Sequence, residues 1–306
     1  MTTDDIYLLL RNNLTGQIRN DIFDIIESRT EFDEQRLSDL SDMFTLDNEK
    51  YLILNMLRYT PLLRDFTTVE ELEQILISDG NPSEEYAYYP SFDAGLIAKM
   101  MVKGLFPMAM ELSEGSFLPI MRHHDYKCVI RFDTDCFRYH KSIRRYARKM
   151  PHLTLCFDRD FMGVVDGIKT SYRNEGTWLA PKLVAAYKEI FDHNDDDTYP
   201  VKVHSVEVYD GDKLAAGEIG FISGDIYTSL SGFHLVPNTG SIQMAALGTY
   251  LQQNGFSHWD LGMQMDYKWE YGSLQADREA QAFIYRNCPM PCLPLPKNKI
   301  LIKDLI

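Results

Sequence analysis

The chain has 306 residues, of which 45% are hydrophobic and 25% charged, with a formal net charge of −14. This is the composition of an ordinary globular protein with core for one large domain and one or two smaller units. No run of about 18 apolar residues is present, so a membrane-spanning helix is not expected.

The opening stretch Met1–Asn13 lacks a basic n-region, and its apolar run is too short for a signal peptide; a cytoplasmic location is expected. The five cysteines are sparse and odd in number, which fits a reducing compartment rather than a disulfide framework. Cys288 and Cys292 have no second ligand pair or histidine partner, and no metal site is expected there. The charge is uneven. Residues 1–86 hold 19 acidic and 7 basic residues, whereas the remainder holds 26 and 24. The acidity therefore belongs to an appendage, and the near-neutral body can carry a local basic face.

In chain order, Ile6, Leu9, Leu10 and Leu14 share a helical face, as do Ile22, Phe23 and Ile26 and then Leu37, Leu40, Met43 and Phe44. Thr68 opens a further helix with Glu70 and Glu71 in its first turn. Asp79-Gly80-Asn81-Pro82 is a strong stop, which sets a boundary between an acidic helical extension (1–82) and a small α+β domain (83–125). After Pro90 a helix is predicted to end at Gly104, followed by a strand over Lys127–Phe132 and a basic segment. Leu153–Phe157 reads as a strand and Asp158–Tyr172 as a helix; another helix opens at Pro181, where proline is tolerated in the first turn. Val201–Tyr209, Leu214–Ile222 and Ile226–Leu230 read as consecutive antiparallel strands, the first two split by Asp210-Gly211-Asp212. A helix over Ser241–Asn254 closes at Gly255, and His258–Leu261 reads as a buried strand. Helices mixed with hairpins argue for α+β rather than a doubly wound sheet.

Between Arg138 and Lys149 lie six Lys or Arg and no acid. On a helix, Lys141, Arg144, Arg145 and Arg148 share a face at i, i+3, i+4 and i+7. By charge alone that face is either solvated, offsetting the acidic appendage, or a track for a phosphate backbone. Asp260, delivered at a strand end before Gly262 and Gln264, is either half of a carboxylate–amide site or a buried turn cap with Gln264 exposed. Trp178 is a pocket wall, a core residue or a stacking platform. His204 and Glu207, three apart on a strand, point to opposite faces and cannot form a simple pair. Adjacent His123 and His124 diverge on an extended chain, and the scattered glycines lack phosphate-cradling spacing.

The order Gly176-Thr177-Trp178, Pro181, Ala186-Tyr187, His204-Ser-Val-Glu-Val208 resembles the bacterial leucyl/phenylalanyl-tRNA–protein transferase family. So do Gly104-Leu-Phe-Pro107 and the basic segment, which is similar to the family's SRS(L/M)RR stretch beside the tRNA acceptor end. The likeness covers roughly residues 90–285. It implies an α+β fold with a GNAT-like mixed sheet flanked by helices over 126–306, after the small domain and the helical extension. It implies transfer of Leu or Phe from aminoacyl-tRNA to the N-terminal amine of a protein beginning with a basic residue, without metal or diffusible cofactor. Asp260 matches the family's catalytic aspartate, at its expected distance from Tyr271-Gly272-Ser273. Gln264 is then expected to assist it, with Trp178, Ser231, Phe233, Met244 and Gly262 around the substrate and Lys141, Arg144, Arg145 and Arg148 on tRNA. Three positions depart. Gly262 stands where the family has the glutamine assigned to amine activation, and Leu230 replaces a site glutamate. The Trp-Trp-Ser-Pro segment is unrecognisable near Leu118–Met121. These departures open a second reading, a catalytically silent module of the same fold that binds a peptide N-terminus or tRNA end.

Overall fold

The computed structural model describes residues 86–89, 91–111, 115–173 and 178–306. The helical runs and turn expected before residue 83 lie outside these, as do Gly176 and Thr177. The described residues fall into two compact units. The first takes its described residues from the stretches ending at Asp93, from Leu105–His123 and from Thr177–Leu183. Here β1 (Tyr86–Tyr88), β2 (Phe106–Glu111) and β3 (Phe117–Arg122) form an antiparallel sheet in the order β1-β3-β2. Leu118 and Met121 of β3 are fully buried. Trp178 packs edge-on against Phe106, with ring centroids 4.7 Å apart.

The second unit comprises Ala94–Gly104, His124–Gly176 and Val184–Ile306. It contains α1 (Ala94–Val102), β4 (Tyr126–Arg131), α2 (Lys141–Lys149), β5 (Leu153–Phe157) and α3 (Phe161–Ser171). Then come α4 (Pro181–Asp192), whose residues up to Leu183 count with the first unit, β6 (Lys202–Asp210), β7 (Lys213–Ser223), β8 (Ile226–His234), α5 (Thr239–Gln253) and β9 (His258–Met263). The chain finishes with α6 (Asp266–Glu270), β10 (Leu274–Asp277), α7 (Arg278–Arg286), β11 (Ile300–Leu301) and α8 (Ile302–Leu305). Eight strands make one mixed sheet in the order β10-β4-β9-β8-β7-β6-β5-β11. Every neighbouring pair is antiparallel except β8 and β9, which run parallel with α5 between them in sequence. This is the mixed sheet flanked by helices that the sequence implied.

Successive residues of β7 point to opposite faces. Gly217 lies under Val164 of α3 and the ring of Phe233, whereas Glu218 is met by Gln243 of α5. Helices α3 and α5 therefore cover opposite faces. On the α5 side, Ile143 and Ala147 of α2, Ile302 of α8, Leu155, Tyr227, Trp259 and the buried stripe of α5 form one apolar cluster. Several boundaries differ from expectation, and two of them have a visible cause. Helix α5 starts at Thr239, because that hydroxyl donates to Val236 O and Ala215 O and fastens the first turn. Strand β8 runs on to His234 because a register shift lets it continue along β7 beyond Leu230.

Leu247 on α5 is fully buried, while Gln252 on the same helix is exposed. Leu247→Ala is expected to cost about 2–5 kcal/mol in urea unfolding, and Gln252→Ala no more than about 0.5 kcal/mol.

Candidate active site where two parallel strands part

Strands β8 and β9 pair only from Ile226↔His258 to Thr228↔Asp260. Both continue past that point without pairing to each other, so the ladder ends before Ser229 and Leu261. On the other side of β8, Ile219 pairs with Ser231 and Gly220 with Ser229, which leaves Leu230 as an extra residue. A bulge of this kind turns a strand and breaks its ladder, and such bulges concentrate beside active sites. Gly262 has φ +70°, a conformation that glycine adopts without strain, and a Cβ there would meet nothing nearer than Ser229 O at 4.0 Å. Where the resembling family carries a glutamine, this chain has no side chain, and a Cβ would touch only the Ser229 carbonyl.

Trp259 and Asp260, consecutive on β9, point to opposite faces. Asp260 is 1% exposed. Its Oδ2 accepts from Lys127 Nζ and from Tyr285 OH, both at 2.7 Å, and its Oδ1 accepts from Gly262 N at 2.8 Å. Thr228 donates to the Tyr285 oxygen at 2.6 Å, since the tyrosine's own proton goes to Asp260. Lys127 Nζ also donates to Gly104 O at 2.5 Å. Gly104, at φ +68° beyond the end of α1, has the Tyr285 ring 2.1 Å from where a Cβ would sit, so no side chain fits. Burial drives the Tyr285 phenol far above its ordinary pKa, and it remains a neutral donor.

On the opposite face lies a second carboxylate, Glu218. Tyr227 OH donates to its Oε1 at 2.9 Å, Ser229 Oγ to Oε1 at 2.8 Å, and Gln243 Nε2 to Oε2 at 3.0 Å. Trp259 Nε1 donates to Ser229 Oγ at 2.9 Å. Burial pushes the Glu218 carboxyl above the usual range, partly offset by these three donors and by Lys268. Lys268, itself buried, donates from Nζ to Leu261 O at 2.5 Å and Met263 O at 2.7 Å, and desolvation lowers its pKa.

The structure places the expected residues as follows. Asp260 is buried and caps the turn at Gly262, and Gln264 is exposed beyond the strand end. Ser231 is partly exposed beside the bulge, Phe233 is a 6% exposed ring against Gly167 and Gly217, and Met244 is partly buried against the α5-side core. Trp178 belongs to the first unit. Lys141, Arg144, Arg145 and Arg148 are exposed together on α2, with Ile143 and Ala147 buried on its inner side. The Arg144 guanidinium lies 5.2 Å from the Tyr139 ring centroid. His204 meets Asp158 at 2.8 Å, while Glu207 accepts from Ser205 Oγ at 2.7 Å and from Asp160 N. The Cys288 and Cys292 thiols donate to Ser223 O and Ile222 O, and burial raises both pKa values. Among the described residues no group of three His, Cys, Asp or Glu could hold a metal.

Sequence reasoning missed Lys127, Glu218, Gln243, Lys268 and Tyr285. The available signal was a charge inside an apolar strand: Lys127 ahead of Cys-Val-Ile, and Glu218 within Ala-Ala-Gly-Glu-Ile-Gly-Phe.

Removing one member of a buried ion pair strands the other charge. Lys127→Met is therefore expected to lower the unfolding free energy by about 3–5 kcal/mol. Combining it with Asp260→Leu should recover part of that loss in the same urea titration.

A sequence model described as leucyl/phenylalanyl-tRNA protein transferase matches residues 130–284, a span that includes α2, β8 and β9. A leucyl/phenylalanyl-tRNA–protein transferase of Pseudoalteromonas atlantica is 30% identical over 145 residues, covering 47% of this chain and 58% of that protein. The one from Thermosynechococcus vestitus is 27% identical over 157 residues, covering 51% of this chain and 74% of that protein. Among solved structures, a FemX crystal structure is similar with a TM-score of 0.38 and 12% identity over 71% of this chain and 78% of that one. The match to the Pseudoalteromonas protein thus spans little more than half of its length. The chain belongs to the leucyl/phenylalanyl-tRNA–protein transferase family.

Proposed function

We propose that the chain transfers a hydrophobic amino acid, leucine or phenylalanine, from aminoacyl-tRNA to the N-terminal amine of a protein beginning with Lys or Arg, marking it for degradation. The family match carries this reading, since it spans the parted strands and the basic helix together. In the reaction the free amine attacks the aminoacyl ester, the tetrahedral intermediate collapses, and tRNA leaves through its ribose oxygen.

Lys141, Arg144, Arg145 and Arg148 hold the acceptor stem. None of the four forms an ion pair among the described residues, which leaves their charge for phosphate. Ser231 and Gly262 border the point where β8 and β9 part, which takes the amino acid, and Phe233 and Met244 support its surroundings. Trp178 is assigned to the same substrate by the family likeness alone. Asp260 fixes the end of β9 through Gly262 N, and exposed Gln264 contacts the acceptor. A second reading, a silent binding module, is favoured by one observation: both Asp260 oxygens are already engaged inside the protein.

The test is transfer of labelled leucine or phenylalanine from charged tRNA to an acceptor beginning with Lys or Arg. Transfer supports the enzyme; tRNA binding without transfer supports the silent module. Changing Lys141, Arg144, Arg145 and Arg148 to Gln should weaken tRNA binding and reduce the slope of log K against log salt by about 1 per lost phosphate contact. An unchanged affinity and slope would show that α2 is only a solvated face.

A further inference from the structure

The family's glutamate and glutamine are absent at Leu230 and Gly262, so the proton of the attacking amine needs another destination. Asp260 is a poor one. Lys127 and Tyr285 occupy one of its oxygens and Gly262 N the other, and the side chain is buried away from any incoming amine. Glu218 differs. Its three hydrogen-bond partners are neutral donors, and it lies one strand away from the position where Leu230 stands.

Ser229 connects Glu218 to the point where the strands part. It is the first residue of β8 past the last pair with β9, and it is partly exposed while Glu218 is buried. A hydroxyl has one proton and two lone pairs. Ser229 gives its proton to Glu218 and receives one from Trp259, which leaves one lone pair for a further donor. The space at Gly262 lies against the backbone of this same residue.

We infer that Ser229 accepts the proton of the attacking amine and that Glu218 positions Ser229 and receives the hydroxyl proton in turn. The inference rests on the transferase reading above. As the amine nitrogen bonds to the ester carbon, the carbonyl π pair moves to oxygen. The surplus N–H proton passes to Ser229 Oγ while the Ser229 proton passes to Glu218 Oε1. When the intermediate collapses, the carbon–oxygen bond to ribose breaks, and the proton returns through Ser229 to the departing ribose oxygen. The amide and the ribose hydroxyl are the products, and Glu218 ends as it began.

The groups facing Glu218 are Tyr227 and Ser229 of β8, Gln243 of α5, and Lys268 and Tyr267 of α6. Of these, Tyr227 is held neutral by burial. Since the carboxylate form receives the proton, kcat should fall as pH drops through the raised pKa of Glu218.

The experiment is the transfer assay over a pH series with Ser229→Ala, Ser229→Thr, Glu218→Gln and wild type, with melting temperatures and tRNA affinity measured in parallel. Ser229→Ala and Glu218→Gln are each expected to lower kcat by about 10²- to 10⁴-fold with tRNA affinity unchanged. Glu218→Gln should also lose the acid limb of the profile, and Ser229→Thr, which keeps the hydroxyl, should restore most of the rate. Wild-type rates in Ser229→Ala overturn the relay. So does a Glu218→Gln variant whose melting temperature and rate fall together with the acid limb intact, because Glu218 would then be structural only. Absence of transfer by the wild-type protein overturns the transferase reading and the relay with it.

Discussion

The buried ion pair of Lys127 and Asp260 is the constraint on which the second unit depends. Two charges withdrawn from water cost several kcal/mol each unless their remaining hydrogen-bonding capacity is filled. Here it is filled from distant parts of the chain. The pair joins β4 to β9, takes the carbonyl of Gly104 beyond α1, and recruits Tyr285 of α7, which in turn holds Thr228 of β8. The last rung of the parallel ladder, Thr228 with Asp260, is thus also the point where these segments are tied. The strands part directly beyond their firmest attachment.

The two carboxylates at this junction share a strand pair and little else. One is matched to a cation, and the other is surrounded by neutral donors. Placing them on opposite faces of the sheet gives each its own set of partners. Lys268, within electrostatic reach of both, is the charge they have in common. Like carboxylates forced into one pocket would compete for protons. Separated by the sheet, each is satisfied by its own donors.

Much of the scaffold was legible because it follows short-range rules. The shared face of Lys141, Arg144, Arg145 and Arg148 follows from their spacing once α2 is helical, and the hairpin from the turn residues after Tyr209. The strand carrying Asp260 follows from its apolar run before a glycine. The chemistry was less legible, for a physical reason. Glu218 meets Ser229 only because β7 and β8 pair in a register shifted by the bulge at Leu230. Lys127 and Asp260 lie 133 residues apart in sequence. Neither meeting leaves a periodic trace, since each is set by strand order. The departures at Gly262 and Leu230 are visible in the sequence, but the polar groups around them come from neighbouring elements that no linear spacing connects.

On the transferase activity proposed above, Lys268 bears on a competition that every ester-handling protein faces. An activated aminoacyl ester can be lost to hydrolysis as readily as it is used by an amine. Strand carbonyls bared where a ladder ends normally recruit solvent, which would put nucleophilic oxygen beside the ester. At the end of β9 the ammonium of Lys268 occupies Leu261 O and Met263 O instead, much as a neighbouring strand would. The lysine thus fills, from within the chain, the hydrogen-bonding capacity that solvent would otherwise take at these two carbonyls.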